Sequence, residues 1–561
     1  MAANNAGTFD EFDVFFPPRL EVATQRLGRV ISGSLSKGLE VKLEASAPIE
    51  DIAVGRYVIV EGDKLRFFGM ITDVALDNTN PQIEKTPPDV SDPFLRDIYV
   101  GTSVYGRIHV SPMLVIDLNE AEPRPVKTIP GHFALVRVAA EEDVNLVFGA
   151  EDEQHFNIGK PLDMEEVQVN LDLYRMVERS VGIFGKSGTG KSFLTRLLLA
   201  GVIKRRAAVS LIFDMHNDYG WEIQTENRTP VKGLKQLFPQ QVAIFTLDEE
   251  SSRRRKVRPD AAVVIDWSDI QPEDLEMLRT TLDLSDQMIG AAYSLRRAWG
   301  KGWIKQLLEA NKEDLDLLME GSTINRSSLD ALSRRLERLT RFDFLRDSWR
   351  GDSAQKIIEY LEKGITVVLE FGRYGNSLEA YILVANYLTR RIHQMYVERV
   401  ESALGDAAQE PPQLLIVIEE AHKFLDPQIA RQTIFGVIAR ELRKYNVTLL
   451  IVDQRPSGID EEVMSQIGTR VTALLDNERD INAVMTGVSG ASALREVLAR
   501  LDTKQQALIM GHAVPMPVVI QTRSYDTDFY AAMSFQDVTD LRAGRSSRVN
   551  LLRGEEESGI D

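Results

Sequence analysis

The sequence predicts an α/β fold in which helices cover both faces of a mainly parallel sheet, with a small β-barrel before it and an all-α insertion within it. Three observations lead to this prediction. Short alternating segments fill residues 28–148, apolar runs each followed by helical spacing begin near residue 158, and residues 266–364 show helical periodicity almost without strand-like segments. Continuous apolar strands that alternate with helices are typical of a parallel sheet buried on both faces.

The first part of the chain predicts a small all-β domain. Segments such as GRVISGSL and RYVIVEG are separated by Gly, Pro, Asn and Asp, which is typical of a sandwich or a barrel. The stretch 78–93, NTNPQIEKTPPDVSDP, is rich in Pro and polar residues and predicts a loop between strands. We therefore expect a β-barrel domain over residues 1–157.

The α/β part is interrupted once. Apolar runs such as VGIF, VSLIF and LLIVI predict buried strands, whereas PEDLEMLRTTL and SSLDALSRRLERL predict capped helices. We expect a core in two parts, over residues 158–265 and 365–535, with the helical insertion over 266–364 between them. A polar tail over 536–561 completes the chain.

The composition indicates an intracellular globular protein. Lys and Arg number 66 against 84 for Asp and Glu, a formal net charge of −18, which argues against a chain that coats nucleic acid over its whole surface. The absence of Cys excludes disulfides and thiolate metal sites. The longest apolar runs are far shorter than the roughly 20 residues that span a bilayer. We therefore expect a cytoplasmic protein without a membrane anchor.

The strongest motif is GKSGTGKS at residues 185–192, which satisfies G-x-x-x-x-G-K-[ST] between the strand VGIF and an amphipathic segment. Its glycines let backbone N–H groups face phosphates at a helix N-terminus, Lys191 supplies charge to the β- and γ-oxygens, and Ser192 offers a hydroxyl to Mg²⁺. The alternative is a glycine-rich structural turn. The expected nucleotide-binding residues are Gly185, Lys186, Ser187, Gly188, Thr189, Gly190, Lys191, Ser192 and Phe193.

A second motif, LLIVIEEAHKF, supplies carboxylates. The residues Leu414–Ile418 predict a buried strand that ends in Glu419 and Glu420, at the edge of the sheet where α/β folds bind ligands. Phosphoryl transfer needs a carboxylate near the metal and a group that orients the attacking water. We expect Glu419 and Ser192 to hold the Mg²⁺ shell and Glu420 to polarise the water. The alternative is two solvated carboxylates at a strand end.

The next strand, Thr448–Val452, leads to further candidates. Gln454 follows it and is expected to couple the γ-phosphate to the next helix, unless it is only a turn residue. Arg440 and Arg443 precede it, and Arg443 is our first candidate for a guanidinium that reaches a neighbouring subunit's γ-phosphate, an effect worth about 10³ to 10⁵ in rate. The alternative for both is a surface helix whose cations stabilise its dipole.

Other polar residues allow two interpretations. Asp214, His216 and Asp218 in FDMHNDYG follow an apolar strand and are expected near the same edge of the sheet, as turn residues more than as metal ligands. His422 and Lys423 either sense the γ-phosphate or are exposed helix residues.

The densest basic run, SSRRRKVR at residues 251–258, falls in an expected loop between two strands. It either contacts nucleic-acid phosphates or forms a solvated charge run. Because no aromatic residue interleaves with its cations, the second interpretation is favoured.

Taken together, residues 28–523 resemble the HerA group of P-loop ATPases within the HerA/FtsK superfamily. The resemblance rests on GRVISGS and VGRYVIVEG in the barrel, the linker FNIGKPLDMEEVQVNLDL, the loop GKSGTGKS, and the segments FDMHNDYG, VIEEAH and RELRKYNVTLLIVDQRPS. It implies a RecA-like P-loop NTPase core that uses ATP and Mg²⁺, behind an N-terminal domain of the HAS-barrel type. Asp218 departs from the family pattern, which usually has Glu before the Tyr.

The resemblance also implies a function. We expect an ATP-hydrolysing homohexameric ring, a helicase or translocase that moves double-stranded DNA through its channel. Its barrels are expected to dock a partner, either a NurA-like nuclease in DNA end processing or repair, or an antiviral defence effector such as a sirtuin-like NADase or another nuclease.

Two other classes of function stay open. The hexamer could be an ATPase scaffold that assembles and regulates an effector enzyme without autonomous DNA translocation. A protein or conjugative-substrate pump of the same superfamily is disfavoured by the missing membrane segments. DNA-stimulated ATP turnover distinguishes the first class from both.

Overall fold

The computed structural model describes residues 25–534 with short internal gaps. These gaps fall at residues 90, 101, 118–122, 163, 165–166, 225–228, 312, 314, 316–324, 348, 404, 406–408, 432, 442–443, 489–490 and 503–504. The predicted tail, residues 536–561, therefore lies outside the described residues. The chain divides into two compact units between Val147 and Phe148.

The first unit is a closed antiparallel barrel. Its strands are β1 (Arg26–Ser34), β2 (Gly38–Leu43), β3 (Tyr57–Glu61), β4 (Leu65–Asn78), β5 (Val104–Asp117), β6 (Arg124–Pro125) and β7 (Leu135–Val138). Neighbours follow the order β2-β1-β7-β3-β4-β5, and β5 pairs back onto β2 to close a ring of six strands, with β6 added to β5. Closure leaves no open sheet edge within the ring.

Alternating apolar residues build the barrel interior. Val58 and Val60 of β3, with Ile108 and Val110 of β5, are fully buried members of one core cluster. Residues two apart on a strand point to the same face, so the alternation read from the sequence places these side chains together. The β-barrel prediction is therefore confirmed.

Short helices complete the first unit. They are Gln82–Lys85, Pro93–Tyr99 and Glu141–Phe148. The first of them lies within the stretch 78–93 that the sequence predicted as a loop only. The second begins after Asp92, whose Oδ1 accepts a hydrogen bond from the Phe94 N–H at 2.9 Å, the usual arrangement of an N-cap.

The second unit is built on a twelve-stranded sheet. Its strands, with two additional small pairs, are β8 (His155–Pro161), β9 (Val169–Asp172), β10 (Val181–Phe184), β11 (Val209–Asp214), β12 (Ile223–Gln224), β13 (Pro230–Val231), β14 (Val242–Thr246), β15 (Ala261–Ala262), β16 (Ile265–Asp266), β17 (Leu345–Arg346), β18 (Thr366–Glu370), β19 (Leu414–Glu419), β20 (Val447–Asp453), β21 (Thr469–Thr472), β22 (Gln506–Gly511) and β23 (Val518–Thr522). The predicted boundary after residue 157 falls inside β8, which pairs with β23 and β9 in this sheet.

The strand order explains why one edge of the sheet collects polar groups. The order is β15-β14-β18-β11-β19-β20-β10-β21-β22-β23-β8-β9. All pairings from β15 to β21 are parallel, whereas those from β21 to β9 are antiparallel. The carboxyl ends of β11, β18, β19, β20 and β10 therefore meet at one edge, where open α/β sheets bind ligands.

Helices accompany the strands of this unit, so the predicted α/β class is confirmed. In the described part of this unit they include Leu173–Val177, Lys191–Arg205, Leu234–Leu237, Glu249–Arg254, Pro272–Met277, Arg279–Leu282, Asp286–Trp299, Trp303–Glu309, Arg326–Glu337, Ser353–Glu362, Leu378–Ser402, Ile434–Glu441, Glu461–Gln466, Glu478–Val484, Ala491–Ala499 and Thr527–Met533. No helix in the described ranges combines the length and the apolar character that crossing a bilayer requires.

One buried ion pair fastens the helical insertion to the core. Asp274, in the helix Pro272–Met277, is fully buried and accepts hydrogen bonds from Arg390 Nε at 3.1 Å and Nη2 at 2.7 Å. Asn386 donates a third bond at 2.9 Å. Both donors belong to the long helix Leu378–Ser402, outside the insertion. A carboxylate withdrawn from water requires such partners.

Replacing Asp274 by Ala is expected to destabilise this unit by about 3–5 kcal/mol, because the Arg390 guanidinium would stay largely buried without its partner. Urea denaturation followed by circular dichroism measures the loss. Glu359→Ala is the control, since Glu359 is exposed on the helix Ser353–Glu362. Equal stability of the two variants would show that the ion pair does not fasten the insertion.

Candidate functional site

The loop between β10 and the helix Lys191–Arg205 depends on its glycines. Gly188 and Gly190 have φ angles of 80° and 87°, in the left-handed region that side chains with a Cβ rarely adopt. Thr189, buried below the loop, donates its hydroxyl to the Lys186 carbonyl oxygen at 2.8 Å. The predicted order of strand, loop and helix is therefore present, and the loop leads into the helix N-terminus.

Lys191 bends back over this loop. Its Nζ donates a hydrogen bond to the Lys186 carbonyl oxygen at 2.8 Å. Burial lowers the pKa of Lys191, while the nearby carboxylates of Glu420, Asp453 and Glu419 act in the opposite direction. These are the acids at the ends of β19 and β20, so the structure brings Lys191 and the predicted carboxylates into one electrostatic neighbourhood.

Other loop residues lie more open. Ser187 is exposed and Ser192 is half-buried, while the Phe193 ring remains 37% exposed. Lys186 forms an ion pair with Asp476, its Nζ lying 3.0 Å from Oδ2. The Ser192 hydroxyl and the exposed backbone of the loop are thus accessible to a ligand.

Glu419 ends β19 and is nearly buried, with 8% of its surface exposed. Its Oε1 accepts the Tyr219 hydroxyl at 2.6 Å, and its backbone N–H and C=O both bond to the Tyr381 hydroxyl, at 3.0 and 2.9 Å. Its Oε2 is buried without a hydrogen-bond partner. Burial raises the pKa of Glu419 to about 8.

This half-satisfied carboxylate fits the ligand chemistry of a hard divalent cation. Mg²⁺ prefers oxygen ligands and usually keeps several waters. An orphaned buried oxygen in a native site calls for a partner such as water or an ion. Glu419 Oε2 and the hydroxyl of Ser192 are oxygens of the type that Mg²⁺ selects, so the residues present fit the metal that the sequence predicts.

Glu420 has an unusual backbone conformation. Its φ is 50°, in the left-handed region, which is uncommon for residues other than glycine. Gln454 Nε2 donates to Glu420 Oε1 at 3.0 Å, so the two residues singled out from neighbouring strands are in direct contact. The structure thus brings Gln454 to the predicted water-polarising carboxylate.

His422 lies next to this pair. Its backbone N–H donates to Asp453 Oδ2 at 2.7 Å, and its ring Nδ1 lies 3.0 Å from the same oxygen and 3.5 Å from Glu420 Oε2. Within the described residues, Glu420, His422 and Asp453 are the one group of three His, Asp or Glu side chains close enough to share an ion. His422 is therefore part of the site, whereas Lys423 is exposed.

The segment FDMHNDYG serves a structural purpose at the same edge. Asp214 is fully buried, and its carboxylate accepts the backbone N–H groups of Asp218 at 2.6 Å, Tyr219 at 2.9 Å and Gly220 at 3.3 Å. Burial raises its pKa to about 7. His216 is exposed. This turn holds the Tyr219 side chain against Glu419, in agreement with the turn interpretation of the motif.

Of the two arginine candidates, only Arg440 lies within the described residues. Arg443 lies outside the described residues. Arg440 lies in the last turn of the helix Ile434–Glu441, and its Nη2 lies 3.4 Å from the Ala430 carbonyl oxygen and 3.3 Å from that of Arg431. In this conformation Arg440 is bound to its own chain.

The basic run at residues 251–258 differs from the sequence prediction, since its first residues belong to the helix Glu249–Arg254 and only the rest is irregular. Arg255 forms an ion pair with Glu370, a buried carboxylate that ends β18. The other cations of the run are exposed. Arg253, Lys256 and Arg258 have no carboxylate partner within the described part of the chain.

Sequence reasoning missed Tyr219 and Tyr381 as parts of the site. Tyr219 lies within the quoted segment FDMHNDYG, but its partner Glu419 is 200 positions away. The presence of a tyrosine next to acidic residues at a strand end was the one hint in the sequence. The neighbouring sequence does not indicate which carboxylate a buried tyrosine hydroxyl contacts.

The chain is similar to known protein families and to individual known proteins. Residues 156–392 match the family described as the central domain of the helicase HerA, and residues 27–117 match the HAS barrel domain. The DNA double-strand break repair helicase HerA of Sulfolobus acidocaldarius is 26% identical over 498 residues, 86% of this chain and 91% of that protein. Its namesake in Pyrococcus furiosus is 23% identical over 438 residues, 73% and 76% of the two chains. The structure of VirB4 of Thermoanaerobacter pseudethanolicus covers 68% of this chain and 100% of its own, with 15% identity and a TM-score of 0.42.

Replacing Tyr219 by Phe is expected to lower ATP turnover or Mg²⁺ affinity by about 10- to 100-fold, because removing a partner that orients a metal-site ligand typically costs that much. The ring packing is kept, so the effect reports the lost hydroxyl bond to Glu419. ATP hydrolysis titrated with Mg²⁺ measures it, with Tyr360→Phe as the control. An unchanged Mg²⁺ dependence would remove Tyr219 from the site.

Proposed function

Since the chain belongs to the HerA family of P-loop ATPases and is an ATP hydrolase of the DNA-helicase type, we propose that it works as a homohexameric ring that translocates on double-stranded DNA. The observation that carries the ATP-hydrolysing part of this proposal is the meeting of three strand ends. β10 leads into the P-loop, β20 is its neighbour, and β19 is next to β20. These strands bring a phosphate-binding loop, Lys191 and paired carboxylates to one edge, as ATP hydrolysis requires.

The proposed roles follow from the contacts. Backbone N–H groups of Gly185–Ser192 bind the phosphates, and Lys191 exchanges the Lys186 carbonyl oxygen for the β- and γ-oxygens. Ser192 and Glu419 would hold Mg²⁺ and its water shell, and the bound ion would supply positive charge opposite the phosphates. Phe193, exposed one residue further on the helix, is proposed to contact the nucleotide.

Glu420 is the proposed group that orients the attacking water. In the present conformation Gln454 Nε2 donates a hydrogen bond to Glu420 Oε1. The ring Nδ1 of His422 lies 3.5 Å from Glu420 Oε2 and 3.0 Å from Asp453 Oδ2. We propose that, when ATP binds, the Gln454 side chain breaks its hydrogen bond to Glu420 and makes one to the γ-phosphate. That exchange would release the carboxylate for the water and report the nucleotide state to the chain after β20.

Assembly completes the site in this proposal. Arg443 of one subunit would reach the γ-phosphate bound by its neighbour, where a guanidinium stabilises charge in the transition state. Arg440 is the less suitable choice of the two, because its guanidinium bonds to carbonyl oxygens of its own chain.

We propose that the ring moves along double-stranded DNA. The similar proteins are named DNA double-strand break repair helicases, which supports DNA end processing as the process. With a net charge of −18, the chain must hold the DNA through local cations, and the unpaired Arg253, Lys256 and Arg258 are candidates. We propose that the barrel docks the partner, a NurA-like nuclease or a defence effector.

Two variants test the proposed function directly. Lys191→Ala is expected to weaken nucleotide binding, whereas Glu420→Gln keeps binding and lowers turnover by about 10²- to 10⁴-fold, the usual contribution of a general base. Linear duplex DNA at low salt is expected to raise wild-type turnover, and added salt to reverse that rise. Coupled-assay ATP hydrolysis with native mass measurement on the same samples gives all three results.

Glu359→Gln is the matched control, because it makes the same change on an exposed helix surface. A hexamer whose ATP hydrolysis does not respond to DNA would replace the translocase by the alternative, an ATPase scaffold that regulates an effector enzyme. Full turnover by Glu420→Gln would instead refute the assigned roles at the strand ends.

A further inference from the structure

The helical insertion contains a cavity that is distinct from the P-loop. Its volume is about 500 Å³, within the range of about 300–1,000 Å³ that holds small-molecule ligands. Three parts of the insertion form its wall: the turn after β16, the start of the helix Trp303–Glu309, and the chain after β17. The residues that give it chemical character are Trp267, Trp349, Lys301, Lys305, Arg350 and Asp347.

The wall is held in place by internal contacts. Asp266, which also lines the cavity, accepts the Ser268 N–H at 2.8 Å through Oδ1 and the Trp349 N–H at 2.6 Å through Oδ2. Trp303 is fully buried at the start of its helix and donates its indole N–H to the Ile270 carbonyl oxygen at 3.2 Å. The cavity is therefore preformed.

The acidic groups of the wall already have partners. Asp266 binds two backbone N–H groups, and this hydrogen bonding lowers its pKa despite its partial burial. Asp347 pairs with Lys305, whose Nζ lies 3.5 Å from its Oδ2. Neither carboxylate needs a cation from outside to satisfy it.

Two cations of the wall lack such partners. Lys301 and Arg350 are exposed and form no ion pair within the described part of the chain. Arg346 is close to one of the lining residues, with its guanidinium 5.8 Å from the centre of the Trp349 ring. With the acids engaged and the cations unpaired, the electrostatics of the cavity favour an anion.

The aromatic residues add a surface for a planar group. The Trp349 indole is 43% exposed, whereas Trp267, which also lines the cavity, is nearly buried at 9%. Trp is highly buried on average, so an exposed indole beside unpaired cations is unusual. Bases stack on such indoles, and cations beside them bind phosphates.

We propose that this cavity binds a nucleoside phosphate, with the base stacked on Trp349 and the phosphate bound by Lys301 and Arg350. The ligand is either a free nucleotide or one nucleotide of a single DNA strand, since both present the same base and phosphate. The site is independent of the ATPase site, because it shares no residue with the P-loop or with the strand ends.

Isothermal titration calorimetry with deoxythymidine monophosphate, and separately with the tetranucleotide of deoxythymidine, tests the proposal. The full chain carries Lys191→Ala throughout, so that the P-loop competes less for the ligand. Trp349→Ala is expected to weaken binding by about 5- to 100-fold, the range for loss of one stacked base. The double change Lys301→Glu and Arg350→Glu is expected to weaken it as well, and Trp349→Phe to retain most of it.

Arg297→Glu with Arg334→Glu is the matched control, because both residues are exposed on other helices of the insertion and the change in charge is the same. Equal affinity for the two ligands identifies a free nucleotide, and tighter binding of the tetranucleotide identifies a DNA strand; either supports the site. Absence of saturable binding, or an equal loss in the control, overturns the proposal.

Discussion

The site depends on one constraint, the desolvation of carboxylates at the carboxyl edge of a parallel sheet. β11, β18, β19 and β20 each end in an acidic residue that is nearly or fully buried, and a buried charge is costly unless it is paired or hydrogen-bonded. Each strand end meets the constraint differently. Backbone N–H groups surround the acid on β11, Arg255 pairs with the one on β18, and His422 contacts the one on β20. Only Glu419 on β19 retains a buried oxygen without a partner.

We interpret that exception as part of the proposed Mg²⁺ site, because Glu419 lies near Lys191 of the phosphate-binding loop. The resting site is held by its own groups: Lys191 by a loop carbonyl oxygen and Glu420 by Gln454. The backbone of Glu420 is also strained at this site, with a φ of 50°. Strain and missing partners cluster where binding can relieve them. ATP would therefore complete a set of interactions that the protein alone leaves incomplete.

The sequence predicts the parts of this protein whose signals are local. Alternation predicts the barrel, apolar runs predict the parallel strands, and the P-loop spacing identifies Lys191. The contacts of Tyr219 and Arg255 with distant acids could not be predicted, because they depend on which strands become neighbours. The predicted boundary after residue 157 falls inside β8 for a related reason, because the sequence does not show to which unit this strand belongs until its pairing with β23 is known. The cytoplasmic location and the hexamer stay predictions.

A structure of the full chain with Mg²⁺ and a non-hydrolysable ATP analogue would show whether the nucleotide completes the site at this edge of the sheet. We expect Lys191 to leave the Lys186 carbonyl oxygen for the phosphates and Glu419 Oε2 to gain a partner in the metal's shell. We also expect Gln454 to release Glu420. A nucleotide bound with Lys191 and Glu420 still in their present contacts, or bound away from this edge, would contradict these expectations.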